Sequence, residues 1–333
     1  MAGKGKVVVI TGASAGIGRA TAQRFGAEGA SVALLARGAA GLEGARRDVE
    51  AAGGRAIVCP TDVADPTQVE AAAARAEAEL GPIDIWINCA MVTVFGQFTD
   101  LTMDEFRRVT DVTYLGYVHG THAALSRMLP RDAGTIVQVG SALAYRAIPL
   151  QSAYCGAKHA IRGFTDSVRT ELMHRKSKVW LTEVHMPAVN TPQFGWCKNK
   201  MEHKSQPVPP IYQPEVAADA VHFAAHHRRR ELYVGASTAV VIAGNKLAPS
   251  VGDWYLAKTG FESQQYDGPP TEGARYNLWQ PVDDESDAGS HGAFDARAHG
   301  RSAELFAVKH KGLLAAAGLG IAALALVSVL RSR

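Results

Sequence analysis

Short apolar runs alternate with longer stretches of helical spacing along most of this chain. Runs that indicate buried strands lie at residues 6–11, 31–36, 56–59, 83–88, 135–139, 179–185 and 231–234. Helical stretches lie between them, at residues 42–52, 66–80, 103–128 and 152–174. Strands that alternate with helices are typical of a parallel sheet that is covered on both faces. The pattern therefore predicts an α/β fold, a doubly wound parallel sheet of seven strands with helices on both faces.

Two later stretches depart from this alternation. Residues 193–214 combine lysines, aromatics and the proline-rich run 207–210 without a clear period, and we expect a lid or substrate loop there. Residues 261–310 are rich in Gly, Pro, Asp, Ser and His, which predicts a flexible linker. The predicted organisation is a main domain over residues 1–260, then this linker, then a final segment over residues 311–331.

The final segment is strongly apolar. From Leu313 to Leu330 it holds an uninterrupted run of about 18 apolar or small residues, about 27 Å as a helix, which is enough to span a bilayer. Basic residues flank both ends, so charge alone does not orient it. Because the segment is synthesised last, we expect a single-pass C-terminal membrane anchor with the main domain on the cytoplasmic side. A helix buried in the core or in a dimer is the alternative, with Gly318 and Gly320 as packing positions.

Composition and charge narrow the class of partner. With 47% hydrophobic and 20% charged residues among 333, the chain can bury a full core. The net charge of +3 is small and no basic stripe interleaves with aromatics, so nucleic acid is not an expected partner. The four cysteines lack metal-ligand spacing and the N-terminus lacks an apolar signal core. We therefore predict no metal site and a reducing, cytoplasmic setting.

A glycine-rich turn follows the first predicted strand. It has the spacing Thr-Gly-x-x-x-Gly-x-Gly, with glycines at Gly12, Gly16 and Gly18 and with Ser14 and Ile17 between them. Glycines at such a turn let backbone N–H groups and the positive end of a helix approach a pyrophosphate. Because a strand precedes the turn and a helix follows it, the motif predicts a dinucleotide site.

The end of the second predicted strand bears on the choice of dinucleotide. A fold that selects NAD commonly places an acid there to bind the ribose 2′-hydroxyl. This chain has Arg37, whose guanidinium can pair with a 2′-phosphate, so we expect NADPH rather than NADH. A solvated arginine at a helix start is the alternative. Asp62 and Val63, after the third strand, are expected beside the adenine, although Asp62 could instead cap the next helix.

Tyr154 and Lys158 lie four positions apart on a predicted helix and so share one face. An ammonium beside the phenol favours its ionised form, which predicts a pKa of Tyr154 below the usual value of about 10. Each of Ser141, Tyr154 and Lys158 is more commonly structural when taken alone. Together, downstream of the glycine-rich turn, they predict a site that reduces carbonyl groups.

These motifs in combination resemble the short-chain dehydrogenase/reductase family, in its single-domain branch. The resemblance covers residues 4 to about 235. Three motifs carry it: residues 11–18, the Asn-Cys-Ala at residues 88–90, and the trio of Ser141, Tyr154 and Lys158. Membership implies a Rossmann-type sheet, dependence on NAD(P)(H) and, usually, dimers or tetramers, so we expect a homo-oligomer.

The family's pattern also implies a role for each residue. Tyr154 would protonate the carbonyl oxygen while hydride arrives from the nicotinamide, or act as the base in the reverse direction. Ser141 would hydrogen-bond the same oxygen, and Lys158 would bind the nicotinamide ribose and lower the pKa of Tyr154. The residues expected along the nicotinamide half of the cofactor are Asn88, Ala90 and Thr191.

Three departures from the family's pattern occur near the nicotinamide. Met91 stands where a glycine is usual, which adds bulk beside the cofactor. Thr113 replaces the usual asparagine of the fourth helix, and a hydroxyl cannot copy the paired donor and acceptor of a carboxamide. Ala188 replaces the usual glycine after Pro187, and Thr191 comes one residue early. We therefore expect altered local geometry and an altered proton relay.

The function expected from all of this is an NADPH-dependent reductase of a lipophilic ketone or aldehyde. A membrane anchor would raise the local concentration of substrates that dissolve in the bilayer. One alternative is an NAD(P)-dependent alcohol or sugar dehydrogenase, for which Arg37 is the discriminating residue. Another is a membrane-tethered NADPH-binding scaffold without turnover, which Met91 and Thr113 leave open.

Overall fold

The computed structural model describes residues 5–271 and 273–311. Its centre is a parallel sheet of seven strands, as the hydrophobic pattern predicts. The strands are β1 (Val7–Thr11), β2 (Ser31–Ala36), β3 (Arg55–Pro60), β4 (Ile85–Asn88), β5 (Thr135–Ser141), β6 (Trp180–Met186) and β7 (Glu231–Tyr233). Their order across the sheet is β7-β6-β5-β4-β1-β2-β3. The order therefore reverses between β1 and β4, and the carboxyl ends of the strands open a crevice at that point.

Helices cover both faces of the sheet. They are α1 (Gly16–Gly26), α2 (Ala39–Ala51), α3 (Pro66–Leu80), α4 (Met103–Thr110), α5 (Gly116–Met128), α6 (Ser152–His174), α7 (Gln193–Trp196), α8 (Pro214–His226), α9 (Ala236–Leu247), α10 (Pro249–Thr259) and α11 (Ala303–Lys309). Helices α1, α2 and α8 pack on one face, while α3, α5 and α6 pack on the other. Strand β1 is buried on both sides because Val8 and Ile10 point into the first layer while Val7 and Val9 point into the second.

One long helix predicted over residues 103–128 is divided in the structure. Helix α4 begins at a capping box in which the Thr102 side chain accepts from the N–H of Glu105, and the Glu105 carboxylate accepts from the N–H of Thr102. A π-helical turn, Asp111–Leu115, then separates α4 from α5. The extra residue in such a turn shifts the helix face that follows it. The side chains of α5 consequently reach the sheet in a different register from those of α4.

The residues beyond the sheet correct the prediction of a flexible linker over 261–310. Leu278 is fully buried among side chains of the α3 and α5 layer, and Leu305 is buried in the opposite layer. The short strand Ala298–His299 pairs in parallel with Ile211–Tyr212, within the predicted lid. A few apolar side chains spaced along a polar sequence thus anchor this stretch, and backbone pairing supplies the rest of its order.

The predicted lid, residues 193–214, forms short elements rather than one loop. It holds α7 and the strands Lys198–Asn199 and Lys204–Ser205, which pair with Val94–Phe95 and Gln265–Tyr266 respectively. These pairings place the lid over the carboxyl edge of the sheet.

The predicted membrane anchor, residues 311–331, lies outside the described residues apart from Lys311. Within residues 5–271 and 273–311, no helix has the length and apolar character needed to cross a membrane.

Candidate active site

A cavity of about 860 Å³ lies at the crevice where the strand order reverses. The glycine-rich turn and residues 61–63 line one end, and the start of α6 lines its middle. The lid and helices α9 and α10 close the other end. Every predicted site residue except Asn88 lines this cavity. Fold and sequence motif therefore converge on one place.

The glycine-rich turn has the shape that a dinucleotide needs. Gly12 and Gly16 have φ values of +69° and +55°, a region that suits glycine. A Cβ on Gly12 would lie 2.7 Å from the Cα of Ala90, and a Cβ on Gly18 would collide with the carbonyl of Gly12. The Thr11 hydroxyl accepts from the N–H of Ala90 at 3.2 Å, which ties the turn to the loop after β4. Close backbone packing therefore requires glycine at Gly12 and Gly18. A compact turn of this kind between a strand and a helix fits a nicotinamide dinucleotide.

The structure brings Ser141, Tyr154 and Lys158 together. Ser141 is the last residue of β5, and its hydroxyl lies beside the phenol of Tyr154. Lys158 lies one turn after Tyr154 on α6, and its Nζ is 5.6 Å from the centroid of the Tyr154 ring. The side chain of Ser141 accepts from the N–H of Leu143 at 3.1 Å, which fixes the direction of its oxygen. Three groups able to hold and protonate a carbonyl oxygen thus face one cavity.

Lys158 is held by a residue that sequence analysis missed. Its Nζ donates to the carbonyl of Val139 at 2.8 Å and to the hydroxyl of Tyr117 at 3.0 Å. Tyr117 in turn donates to the same carbonyl at 2.9 Å. A tyrosine at a fully buried helix position needs a partner for its hydroxyl, but no pattern in the sequence indicates that burial or that partner. Tyr117 therefore fixes the position of the Lys158 ammonium.

Burial controls the charges of these groups. It raises the pKa of Tyr154 well above its usual value, and the Ser141 hydroxyl opposes this only in part. It also lowers the pKa of Lys158 to about 8. The direction for Tyr154 is opposite to the sequence prediction, because the Lys158 amine is itself desolvated and directed towards Tyr117 and Val139. At neutral pH the phenol keeps its proton.

The residues at the departures from the family's pattern have structural roles. The Thr113 hydroxyl donates to the carbonyl of Val92 at 2.8 Å and accepts from its N–H at 3.0 Å. It therefore holds the loop after β4 instead of contacting Lys158. Met91 lines the cavity, and Ala188 begins a two-residue strand that pairs with Ile211.

The structure corrects the prediction for Asn88. Its side chain is fully buried in the sheet layer instead of lining the cofactor. The Nδ2 donates to the Gln138 side chain at 2.8 Å, and the Oδ1 accepts from the Trp86 indole at 2.8 Å. An amide with partners on the adjacent strand is satisfied within the core. Cys89 and Ala90 line the cavity in its place.

The adenosine end of the cavity differs from the sequence prediction in its contacts. The Arg37 guanidinium donates to the backbone carbonyl of Asn277, and to those of Leu278 and Trp279 at 3.5 Å and 3.0 Å. Burial lowers the pKa of Arg37. The group that was expected to meet a 2′-phosphate is therefore engaged by a later part of the chain.

Asp62 and Val63 border the same end of the cavity. The Asp62 carboxylate pairs with Arg108 at 2.5 Å. It does not cap helix α3, because Asp65 does so by accepting from the N–H of Thr67 at 2.8 Å. Asp62 therefore remains at the cavity wall, where its charge is paired.

A further cluster lies away from this cavity, between α1 and α8. The ligand atoms of Glu28, His222 and His226 all lie within 4.8 Å of one another. His222 Nε2 is 3.0 Å from the Glu28 carboxylate, and burial lowers the pKa of His222 to about 4. No metal site is predicted from the sequence, and that stays a prediction.

Comparison with known proteins adds to this geometry. Residues 6–201 match the sequence profile described as short chain dehydrogenase. The chain belongs to the short chain dehydrogenase family. As a member it is an oxidoreductase that acts between CH–OH and C=O groups and uses a nicotinamide cofactor.

Individual relatives support the same assignment. An uncharacterised oxidoreductase, YxnA of Bacillus subtilis, is 33% identical over 270 residues, which cover 80% of this chain and 75% of that one. A 3-dehydrosphinganine reductase of Danio rerio is 32% identical over 209 residues, 61% of each chain. The ketoacyl reductase HetN of Nostoc is 33% identical over 169 residues, 51% of this chain and 59% of that one. The matches therefore cover less than two thirds of both named reductases.

Proposed function

We propose that this protein reduces a lipophilic ketone or aldehyde to an alcohol, with a reduced nicotinamide dinucleotide as the hydride donor. The observation that carries the proposal is the grouping of Ser141, Tyr154 and Lys158 at one cavity beside the glycine-rich turn. The raised pKa of the Tyr154 phenol agrees with it. A protonated phenol is the form required for reduction, because the developing alkoxide must receive a proton. In the oxidation of an alcohol the same group would have to begin as the base.

The roles of the side chains follow from their positions. The bound dinucleotide would supply the hydride. The glycine-rich turn would hold its pyrophosphate, and Lys158 would donate to its nicotinamide ribose. The Ser141 hydroxyl would hold the substrate oxygen, and Tyr154 would transfer its proton to that oxygen. Tyr117 keeps Lys158 directed into the site through a bond of 3.0 Å.

The walls of the cavity favour an apolar substrate. Beyond Tyr154 it is bordered by Phe194 and the prolines of the lid, and then by apolar side chains of α9 and α10. Trp254 and Tyr255 at this end are more than half exposed, and Val251 lies beside them. Such surfaces are costly in water unless they meet an apolar ligand or a lipid surface. Relatives named as reductases of keto compounds support the same substrate class.

The test uses the full chain with NADH and NADPH, each offered with a panel of long-chain, steroid and retinoid carbonyl compounds. We expect oxidation of the nucleotide that requires substrate and that is lost in Tyr154→Phe. Nucleotide binding without turnover of any carbonyl compound would overturn the proposal in favour of the non-catalytic scaffold. Turnover only of polar alcohols or sugars would favour the dehydrogenase alternative.

The predicted preference for NADPH is not part of this proposal. It rests on Arg37, whose guanidinium contacts the carbonyls of residues 277–279. The function is therefore proposed for a reduced nicotinamide dinucleotide of either kind.

Attachment to a membrane and association into a homo-oligomer remain predictions. The first is tested by asking whether the full chain stays with membranes after an alkaline wash while a chain ending at residue 311 is released. The second is tested by light scattering of the purified protein.

A further inference from the structure

A stretch after the sheet crosses the adenosine end of the cofactor cavity, and we name residues 274–292 the adenosine strap. Its contacts run along the whole of that end. Leu278 is fully buried, and its carbonyl accepts from Arg108 at 3.0 Å as well as from Arg37. The strap is thus fastened where β2 ends and α2 begins.

Further along, the strap bonds to the backbone of α2 and of the glycine-rich turn. The carbonyl of Asp283 accepts from the N–H of Gly41 at 2.9 Å, and the carbonyl of Gly289 accepts from the N–H of Gly16 at 3.3 Å. The Asp287 carboxylate pairs with Arg19, with a second contact at 3.0 Å. These bonds occupy donors in the stretches that recognise the dinucleotide, so the strap belongs to that site.

One carboxylate of the strap, that of Asp283, has a buried oxygen without a hydrogen bond among the described residues, although its charge interacts with that of Arg37. Asp283 is 6% exposed, and its carboxylate packs directly on Gly38 and Gly41, where any Cβ would collide with it. Its Oδ2 is buried and, within residues 5–271 and 273–311, finds no hydrogen-bond donor. The residue lines the cofactor cavity beside Arg37. A buried carboxylate oxygen without a donor is destabilising. A ligand in the cavity that donates to the part of this carboxylate lining it would offset that cost.

The position of Asp283 indicates which ligand group that is. In dinucleotide folds the adenosine ribose lies at the end of the second strand, where an acid binds its 2′-hydroxyl. Here β2 ends at Ala36 and contributes Arg37 instead of an acid. Asp283 places a carboxylate at this end from a distant part of the chain. A ribose hydroxyl can donate to it, whereas a 2′-phosphate brings a second anion against it.

Arg37 offsets that repulsion only in part. Its donors face the carbonyls of Asn277, Leu278 and Trp279. A phosphate would have to compete with these contacts for the Nη1 and Nη2 donors. We propose that Asp283 of the adenosine strap binds the adenosine ribose and makes this protein select NAD(H) over NADP(H), in reverse of the preference that Arg37 alone predicts. The proposal rests on the dinucleotide binding of the proposed function.

The experiment measures dissociation constants of NADH and NADPH for the full chain by quenching of tryptophan fluorescence, without any carbonyl substrate. We expect NADH to bind at least tenfold more tightly than NADPH. Asp283→Asn keeps the size of the side chain and removes its charge. The affinity for NADPH should therefore rise at least tenfold, while the affinity for NADH falls a few-fold. Asp283→Ala also removes the hydrogen-bond acceptor, so the affinity for NADH should fall further than in Asp283→Asn.

Asp284→Asn is the matched control. Its carboxylate lies on the outer side of the strap and pairs with Arg275 at 2.9 Å, so its loss should leave the ratio of the two constants unchanged. A wild-type preference for NADPH, or equal changes for both nucleotides in Asp283→Asn, would overturn the assignment of Asp283 while leaving the proposed reduction intact. Binding of neither nucleotide would overturn both.

Discussion

The two ends of the cofactor cavity are formed by different kinds of sequence. The nicotinamide end uses Ser141 at the end of β5 together with Tyr154 and Lys158 on α6, all within the layers of the fold. The adenosine end is completed by the adenosine strap, which follows the last strand of the sheet. The side chains at the first end are close in sequence, whereas the contacts at the second join residues far apart in the chain.

The ends also differ in how their charges are satisfied. At the nicotinamide end Lys158 has two oxygen partners within 3.0 Å. At the adenosine end Arg37 is engaged by backbone carbonyls while the buried oxygen of Asp283 has no donor among the described residues. An arginine after the second strand therefore does not by itself define a phosphate site. What the guanidinium already contacts decides its availability.

The largest expected effect separates catalysis from binding. Tyr154→Phe removes the proton that the substrate oxygen must receive, so we expect kcat to fall by about 10²- to 10⁴-fold. The dissociation constant of the nucleotide should stay within about twofold, because the adenosine end is untouched. Steady-state kinetics and fluorescence titration measure the two quantities. A variant that retained its kcat would exclude Tyr154 as the acid.

The next prediction concerns how firmly the strap is attached. Leu278→Ala leaves a cavity at a fully buried position, and we expect the free energy of unfolding to fall by about 2 to 5 kcal/mol. Trp279→Ala is the comparison, because Trp279 is 42% exposed and its truncation should cost less than that of the fully buried Leu278. Urea denaturation measures both. Equal losses in the two variants would contradict the anchoring role of Leu278.

A smaller effect is expected from the residue that positions Lys158. Tyr117→Phe removes the hydroxyl that accepts from Nζ, so the ammonium loses one of its two partners. We expect kcat to fall about tenfold, in line with about 1 to 3 kcal/mol for a buried donor left without an acceptor. The pKa of Lys158 should also fall further below about 8, which moves the alkaline limb of the pH profile to lower pH.

Thr113→Ser is the control for Tyr117→Phe. It keeps the hydroxyl that bonds to Val92 and should behave like the wild type. An unmoved pH profile in Tyr117→Phe would show that Tyr117 does not position the amine.

The smallest effect is the pH dependence of nucleotide binding. Lys158 loses its proton near pH 8, below its ordinary pKa of 10.5, so NADH affinity should weaken a few-fold between about pH 7 and about pH 9. The free energy of unfolding has the opposite trend. Between about pH 8 and pH 10.5 Lys158 binds a proton more fully in the unfolded chain than in the folded one, so its contribution to the free energy of unfolding rises with pH. Lys158→Met should flatten the binding curve. A slope that persists in the variant would assign the titration to another group.

Local sequence patterns were sufficient to predict the sheet, the glycine-rich turn and the helix face shared by Tyr154 and Lys158. The strand pattern predicted the seven-stranded parallel sheet, because strands buried on both faces, such as Val7–Thr11, are apolar throughout. The glycine spacing predicted a turn that requires positive φ at Gly12 and Gly16. The i, i+4 spacing predicted that Tyr154 and Lys158 share a helix face. Each of these follows from backbone geometry over a few residues.

Other features had no local signal. The π-helical turn at Asp111–Leu115 sets the register in which Tyr117 meets Lys158, and neither residue's neighbours in sequence indicate this contact. The composition of residues 261–310 predicted a linker, since isolated apolar residues such as Leu278 do not reveal the pocket that receives them. Asn88 resembled a cofactor residue by motif, yet its amide is satisfied within the sheet.

The amino-acid sequence was thus enough to predict the sheet, the glycine-rich turn and the grouping of Ser141, Tyr154 and Lys158, because those depend on the dihedral preferences and periodicity of neighbouring residues. The raised pKa of Tyr154, the partner of Lys158 and the contacts of Arg37 and Asp283 are evident only in the folded chain. The physical reason is that desolvation and the satisfaction of buried polar groups depend on what the folded chain places around them, including segments hundreds of residues away.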